Sequence, residues 1–229
     1  MVACYGGHIQ MNITTTPFVL SPRCYVATPS TKTHIVLHGS FSRTKYTFTG
    51  ADNSETCLMK RWNMLEDKFV GHYVIGRSGI VYNCVDEDSW ANQSAMRKHT
   101  DIDRKSIGIF LCNELYLIKS GSRHYAFGIE KPHNLYTGPV FDYDAKGYKV
   151  WADYDELQIN ALCNVLDDVC GRNGIPKSMC ANTFLCDEED DRIHAAGILS
   201  HGNINPSSYS LPLPGWVLDK LQSRGVRML

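Results

Sequence analysis

The sequence of 229 residues has no long apolar run and no excess of charge of either sign. A membrane-spanning helix needs about 18 or more consecutive apolar residues. A formal net charge of −1 at pH 7 argues against a broad basic surface for nucleic acid or anionic lipid. Residues 1–20 lack a basic start and a continuous apolar core, so we expect no signal peptide. The sequence predicts a soluble domain with no membrane or nucleic acid partner, cytoplasmic when synthesised.

The nine cysteines include no CxxC pair, which argues against a zinc ribbon and a thioredoxin-like site. An odd number leaves at least one thiol unpaired in each monomer. We expect most to be buried, because unpaired cysteine packs as a small apolar side chain. Cys180 and Cys186 flank a short loop and are the best disulfide candidate. A cysteine-rich chain of this kind would suit stabilisation by disulfides outside the cell.

Apolar periodicity divides the chain into an irregular N-terminal arm, residues 1–30, and one domain, residues 31–222. Strands are predicted at residues 33–37, 73–75, 80–85, 106–112 and 197–200, and helices at 58–69, 155–171 and 216–221. Residues 113–152 are rich in Tyr, Gly and Lys without a clear period. We interpret them as an insertion or surface loop.

Two histidines directly follow predicted strands. His38 follows residues 33–37, and His201 follows residues 197–200. Catalytic zinc takes three protein ligands and keeps an open position for water, so these histidines are candidates for two of the three. Between Gly202 and Trp216 there is no Asp, Glu, Cys or His to supply the third. The pattern suggests a metallo-hydrolase scaffold whose reaction centre is incomplete.

Five segments stand in a distinctive order along roughly residues 33–216. They are His34-Ile-Val-Leu-His38, Gly71-His-Tyr-Val-Ile-Gly-Arg-Ser-Gly-Ile-Val-Tyr82, Ser106-Ile-Gly-Ile109, Tyr154–Leu162 with Asn173-Gly-Ile-Pro176, and Gly197-Ile-Leu-Ser-His201 with Asn205-Pro206. Together they resemble the zinc-dependent N-acetylmuramoyl-L-alanine amidases of the type-2 family, which includes amidase-type phage lysozymes and peptidoglycan recognition proteins. The resemblance implies an α/β fold: a central mixed β-sheet flanked by helices, with a substrate groove across one face.

The resemblance also assigns roles to the metal positions. His38 and His201 match the family's first two zinc ligands. The third ligand follows the second histidine closely, often just before a proline. This chain has Tyr209, Leu211 or Leu213 there, depending on the alignment. The family's catalytic lysine, which comes shortly before that ligand, has no counterpart nearby.

The catalytic glutamate and the groove positions also differ from the family. Phe110 stands in place of the glutamate, and Gly71 in place of the tyrosine that members without this glutamate tend to have. The Trp-His-Ala-Gly segment that lines the family's groove reads Trp90-Ala-Asn92-Gln. The candidate groove residues are His72, Trp90, Asn92 and Tyr209.

These losses predict a catalytically degenerate amidase-like domain, because a missing general base alone costs roughly 10²–10⁴ in rate. We expect a zinc-site remnant with no bound cofactor. The domain would serve either as a structural component, for instance of a phage tail or other virion, or as a binder of peptidoglycan or protein. The alternative is an active zinc amidase that cleaves the N-acetylmuramoyl–L-alanine bond of peptidoglycan. Its third ligand would then be unusual, such as a cysteine or His194.

Overall fold

The computed structural model describes residues 15–40, 44, 46, 55–66, 69–92, 100–184, 195–205, 207–208 and 211–229. The strands are β1 Thr16–Pro17, β2 His34–Gly39, β3 Tyr73–Ile75, β4 Val81–Asn83, β5 Ser106–Leu111, β6 Tyr116–Ser120, β7 Arg123–Ala126, β8 Leu135–Tyr136, β9 Val140–Ala145, β10 Tyr148–Ala152, β11 Ser178–Met179, β12 Gly197–Ser200 and β13 Arg227–Met228. The helices are α1 Cys57–Leu65, α2 Thr100–Lys105, α3 Glu156–Asn173, α4 His201–Ile204 and α5 Gly215–Ser223, with a 3₁₀ turn at Pro132–Asn134.

The main sheet is mixed, as the resemblance implied. Its order is β1-β4-β3-β5-β2-β12-β11-β13. Only the β3–β4 hairpin is antiparallel, and the other neighbours run parallel. β5, β2 and β12 are buried along nearly their whole length, as central parallel strands usually are.

Alternation along the central strands sends side chains to two separate cores. Ile35 and Leu37 of β2 pack with Ile107 and Ile109 of β5 against α3 and α5. Phe110 of β5 instead packs with Trp62 and Met59 of α1. Because successive side chains of a strand point to opposite faces, His38 lies on the α1 side with Phe110. The candidate site is therefore built on the α1 face.

Residues 113–152 are not an irregular loop, so that part of the sequence interpretation is wrong. They form a second sheet, wholly antiparallel, in the order β8-β7-β6-β10-β9. Exposed and half-buried residues alternate along β9, which is the period of a strand rather than of a loop. The hairpin from β9 to β10 turns at Lys146 and Gly147, both with positive φ (56° and 82°), a conformation typical of a tight hairpin.

Segments on both sides of the predicted domain, residues 31–222, also take part in the main sheet. Residues 15–30, expected in an irregular arm, contribute β1 beside β4 and a bridge from Val26 to Trp90. At the other end, β13 joins the main sheet beyond residue 222. Residues 1–14 lie outside the described residues. Cys180 is buried, but Cys186 is not described, so their disulfide stays a prediction. Within the described chain no helix has the length and apolar character needed to cross a membrane.

A buried ion pair connects the main sheet to the second sheet. Arg77, in the β3–β4 turn, and Glu114, just before β6, are 1% and 0% exposed, and their nearest atoms are 2.8 Å apart. Arg77 also donates to the Asp153 carbonyl and approaches Asp155, before α3, at 3.5 Å. The Thr44 backbone and hydroxyl donate to Glu114 at 3.0 and 2.5 Å. The network therefore joins the hairpin, the second sheet and the start of α3.

Replacing Arg77 with methionine is expected to lower the free energy of unfolding by about 3–5 kcal/mol, because Glu114 would be left buried without its charge partner. Urea denaturation measures the change. Arg23→Met is the matched control. Its ion pair to Glu66 joins side chains that are 76% and 47% exposed, so we expect a loss of about 1 kcal/mol at most. Equal losses in the two variants would contradict this role for Arg77.

Candidate active-site cleft

The two candidate metal histidines meet at the carboxyl ends of neighbouring parallel strands. β2 and β12 pair with Leu37 opposite Ser200, so the next residues, His38 and His201, lie side by side. Their ring centroids are 4.7 Å apart. The structure thus brings together the two residues that the sequence singled out.

The short helix α4 holds His201 in place through its first turn. The Ser200 backbone donates to Asn203 Oδ1 at 2.8 Å, and Asn203 Nδ2 donates to the Asn182 carbonyl at 3.0 Å. A Cβ at Gly202 would lie 2.3 Å from the Thr183 carbonyl, so only glycine allows this close approach. Ser208 Oγ lies 3.1 Å from His201 Nδ1.

Phe110 covers His38. The two rings stack with centroids 4.2 Å apart and planes 7° from parallel, and His38 is fully buried. Phe69 meets both histidines at 5.2–5.3 Å, and Trp62 packs edge-on against Phe110 at 5.0 Å. These five rings, the aromatic cluster, occupy the position where the resemblance expects polar catalytic groups.

Gly71 is small because Phe110 is large. A Cβ added at Gly71 would lie 2.5 Å from the Phe110 ring and 3.2 Å from the Gly108 carbonyl. The phenyl ring can therefore sit here only while residue 71 has no side chain. The glycine at position 71 and the phenylalanine at position 110 therefore depend on each other for packing.

An open cleft of about 410 Å³ lies over the aromatic cluster. Apolar side chains form most of its wall, and the polar ones gather at the rim. Its lining residues are Gly39, Ser40, Leu58, Arg61, Trp62, Phe69, Phe110, Leu115, Tyr116, His201, Asn205, Ser207 and Ser208. Sequence reasoning singled out only Phe110 and His201 among these residues. Arg61 and Tyr116 carried no motif, and only the face of α1 and the start of β6 place them here.

Three of the predicted groove residues do not line this cleft. His72 is fully buried, and neither it nor Trp90 or Asn92 is among the lining residues. Trp90 forms an antiparallel bridge with Val26 outside the named strands. Tyr209 lies outside the described residues. The groove assignment of these four residues stays a prediction.

Leu211 and Leu213 belong to the core on the α3 side of the sheet, away from the histidines. Both are buried, and Leu211 adopts a left-handed φ of 71°, which is unfavourable for a residue with a Cβ. Neither side chain has an atom that could bind zinc.

The described residues do not fit a catalytic zinc site. Among them no group of three His, Cys, Asp or Glu side chains is placed to hold a metal ion. His38 and His201 supply two of the three protein ligands that such a site needs. The alternative third ligand named above, His194, lies outside the part of the chain that the structure describes.

A family model described as N-acetylmuramoyl-L-alanine amidase matches residues 28–210, which is most of the chain. The protein therefore belongs to the N-acetylmuramoyl-L-alanine amidase family, and the resemblance found in the sequence is confirmed. A search of curated proteins finds no significant match.

Several solved amidases resemble the structure. LysC from Clostridium intestinale shares 9% identity with a TM-score of 0.48, covering 92% of this chain and 97% of its own. AmiD from E. coli, solved with an anhydro-N-acetylmuramic acid peptide as substrate, shares 16% with a TM-score of 0.47, covering 88% and 60%. An endolysin from a Thermus scotoductus bacteriophage shares 12% with a TM-score of 0.45, covering 92% and 100%.

A buried network beside the main sheet contains His72 and Lys32. His72 Nδ1 accepts from the Gly108 N–H at 2.9 Å, so the ring proton is on Nε2, which lies 3.1 Å from the Ser89 carbonyl. Lys32 donates to the same carbonyl at 2.6 Å and to the Arg104 carbonyl at 3.0 Å. Burial lowers the pKa of Lys32 to about 8 and that of His72 to about 4. The two side chains therefore connect the loop after β4, through the Ser89 carbonyl, to β5 and to the end of α2.

The buried His72 makes stability depend on pH. Its pKa of about 4 in the folded protein lies below its ordinary value of 6.5, so the unfolded chain binds more protons between these values. The stabilisation from neutral His72, about 3 kcal/mol, is complete above pH 6.5 and is lost as the pH falls towards 4. Urea denaturation across this range should show a steeper pH dependence for the wild type than for His72→Gln. Parallel curves would contradict the burial argument.

Proposed function

We propose that this chain is a catalytically degenerate member of its family that binds peptidoglycan in the cleft without cleaving it. The stacking of Phe110 on His38 is the observation that carries the proposal. The phenyl ring stands where the resemblance expects the catalytic glutamate. It can neither take a proton from water nor orient it, and a positioned base is worth roughly 10²–10⁴ in rate.

The metal chemistry of the family supports the same proposal. The family is typically zinc-dependent. Two imidazoles hold zinc weakly and leave its water poorly positioned, since three protein ligands are usual. His201 instead has the Ser208 hydroxyl beside its Nδ1. We therefore regard His38 and His201 as the remnant of a zinc site, within an amidase-like domain of residues 31–222 that carries the second sheet as an insertion.

The chemistry of the cleft suits a ligand with both sugar and peptide parts. Phe69 and Tyr116, both half-buried, offer aromatic surface of the kind that packs against the apolar faces of sugar rings. Arg61 is exposed and can pair with a carboxylate of a stem peptide. Asn205 brings an amide and Ser208 a hydroxyl for hydrogen bonds. Apolar walls with few polar groups are typical of binding clefts.

A second candidate function is a structural component of a phage tail or similar particle, cytoplasmic at synthesis and later virion-associated. A separate surface feature favours it. Val19, Met64 and Leu65 are 86%, 76% and 55% exposed. They adjoin one another, because Asn63 of α1 bonds to the Val19 carbonyl at 3.0 Å. Adjacent exposed apolar side chains of this size often mark a surface that another protein covers.

Purified protein supplied with zinc is expected to release no stem peptide from peptidoglycan. Chromatography of the soluble products measures the release. Cleavage by the wild type that disappears in His38→Ala would contradict degeneracy. It would support the alternative of an active amidase with an unusual third ligand, such as a cysteine or His194.

Arg61→Ala is expected to weaken binding of a soluble disaccharide-peptide by about fivefold, the size of one exposed charge contact. Calorimetry measures the affinity. Lys60→Ala is the matched control, because Lys60 is the neighbouring exposed cation of α1 and does not line the cleft. No binding by the wild type would contradict the peptidoglycan proposal and favour the particle component.

A further inference from the structure

One face of the second sheet continues the wall of the cleft. The strand register places Tyr116 and Ile118 of β6 on the same face, with Tyr125 opposite Ile118 and Leu135 opposite Tyr125. Arg123, two residues before Tyr125, shares that face. We call these five residues the tyrosine face. Tyr116 also lines the cleft, so the two surfaces meet at its ring.

The tyrosine face ends in a second cavity of about 380 Å³, lined by Arg123, Tyr125, Glu130, Lys131, Pro132 and Leu135. Its apolar lining comes from the exposed Pro132, the half-buried Leu135 and the edge of the buried Tyr125. Its rim is charged and exposed, with Arg123 and Lys131 against the single carboxylate of Glu130. The Ser120 hydroxyl donates to that carboxylate at 2.9 Å. The cavity therefore offers a flat apolar surface beside two cations.

Ring packing holds Tyr116, the residue of the tyrosine face next to the cleft, in place. Tyr116 stacks on Tyr148 of β10 with centroids 3.8 Å apart, and both lie edge-on to the buried Trp151. Strand geometry puts the Cα atoms of Tyr116 and Tyr125 roughly 8 Å apart. One extended molecule can therefore contact the cleft and the second cavity together. A compact single-unit ligand held at His201 and Arg61 would leave the second cavity unused.

We propose that the second cavity is a subsite for the continuation of a polymeric peptidoglycan strand whose first unit occupies the cleft. The inference rests on the proposed function, and it adds a second contact surface on the second sheet, outside the cleft. A neighbouring unit packs a sugar face on Pro132 and Leu135, and a carboxylate of its stem peptide meets Arg123 and Lys131. Two observations favour a peptidoglycan strand as the ligand of this cavity. The cations Arg123 and Lys131 complement its carboxylates, and Tyr116 lines the adjoining cleft.

The test compares two soluble probes, a single disaccharide-peptide and a peptidoglycan chain of several units. The wild type is expected to bind the chain more tightly than the single unit. Arg123→Ala combined with Lys131→Ala should weaken chain binding by about fivefold to tenfold, since two exposed charge contacts are lost. Binding of the single unit should not change, because neither residue lines the cleft.

The matched control is Lys119→Ala combined with Lys149→Ala. It removes the same charge from the same sheet at exposed residues outside both cavities. If both double variants bind the chain equally weakly, the loss comes from the lower net positive charge and not from the second cavity. That result would overturn the inference. Equal affinity of the wild type for chain and single unit would overturn it while leaving the proposed function intact. If the wild type binds neither probe, both the inference and the proposed function are overturned.

Discussion

The parallel pairing of β2 with β5 on one side and β12 on the other determines where His38, Phe110 and His201 lie. Parallel strands end at the same edge of a sheet, so residues far apart in sequence meet there without any dedicated loop. The register places His38 opposite Phe110 and beside His201. One change of register would send these side chains into the α3 core, because neighbouring residues face opposite sides. The fold thus fixes the place of the site independently of its chemistry.

The strand ends that carry the two histidines are packed with aromatic side chains. Five rings pack at centroid distances between 4.2 and 5.6 Å around the position of the expected reaction centre. Such packing excludes water from His38 but leaves an open cleft above it. This combination of a closed ring cluster and an open cleft is what the proposed non-hydrolytic binding requires. The second sheet enlarges that surface through Tyr116.

Sequence patterns predicted the main sheet, α3 and the two histidines. Long apolar periods and the residues that follow a strand can be recognised from the sequence alone, without knowing which elements pack together. The patterns failed for residues 113–152, where the strands are short and mix buried apolar residues with charged and tyrosine residues, so no clear apolar period marks them. The glycines at the two tight turns, Gly121 and Gly147, are local hairpin signals in that stretch. Arg61 and Tyr116 could not be placed from sequence, since their role depends on how α1 and the second sheet approach the main sheet. The spatial separation of Leu211 and Leu213 from the histidines had the same cause.

The contact between Gly71 and Phe110 has a consequence for substitution. Any side chain at position 71 would collide with the Phe110 ring, since even a Cβ there lies 2.5 Å from it. A smaller residue at position 110 would relieve that collision, but His38 and Trp62 would lose the ring that both now contact. The residues that each position tolerates therefore depend on the residue at the other, so the two are expected to vary as a pair.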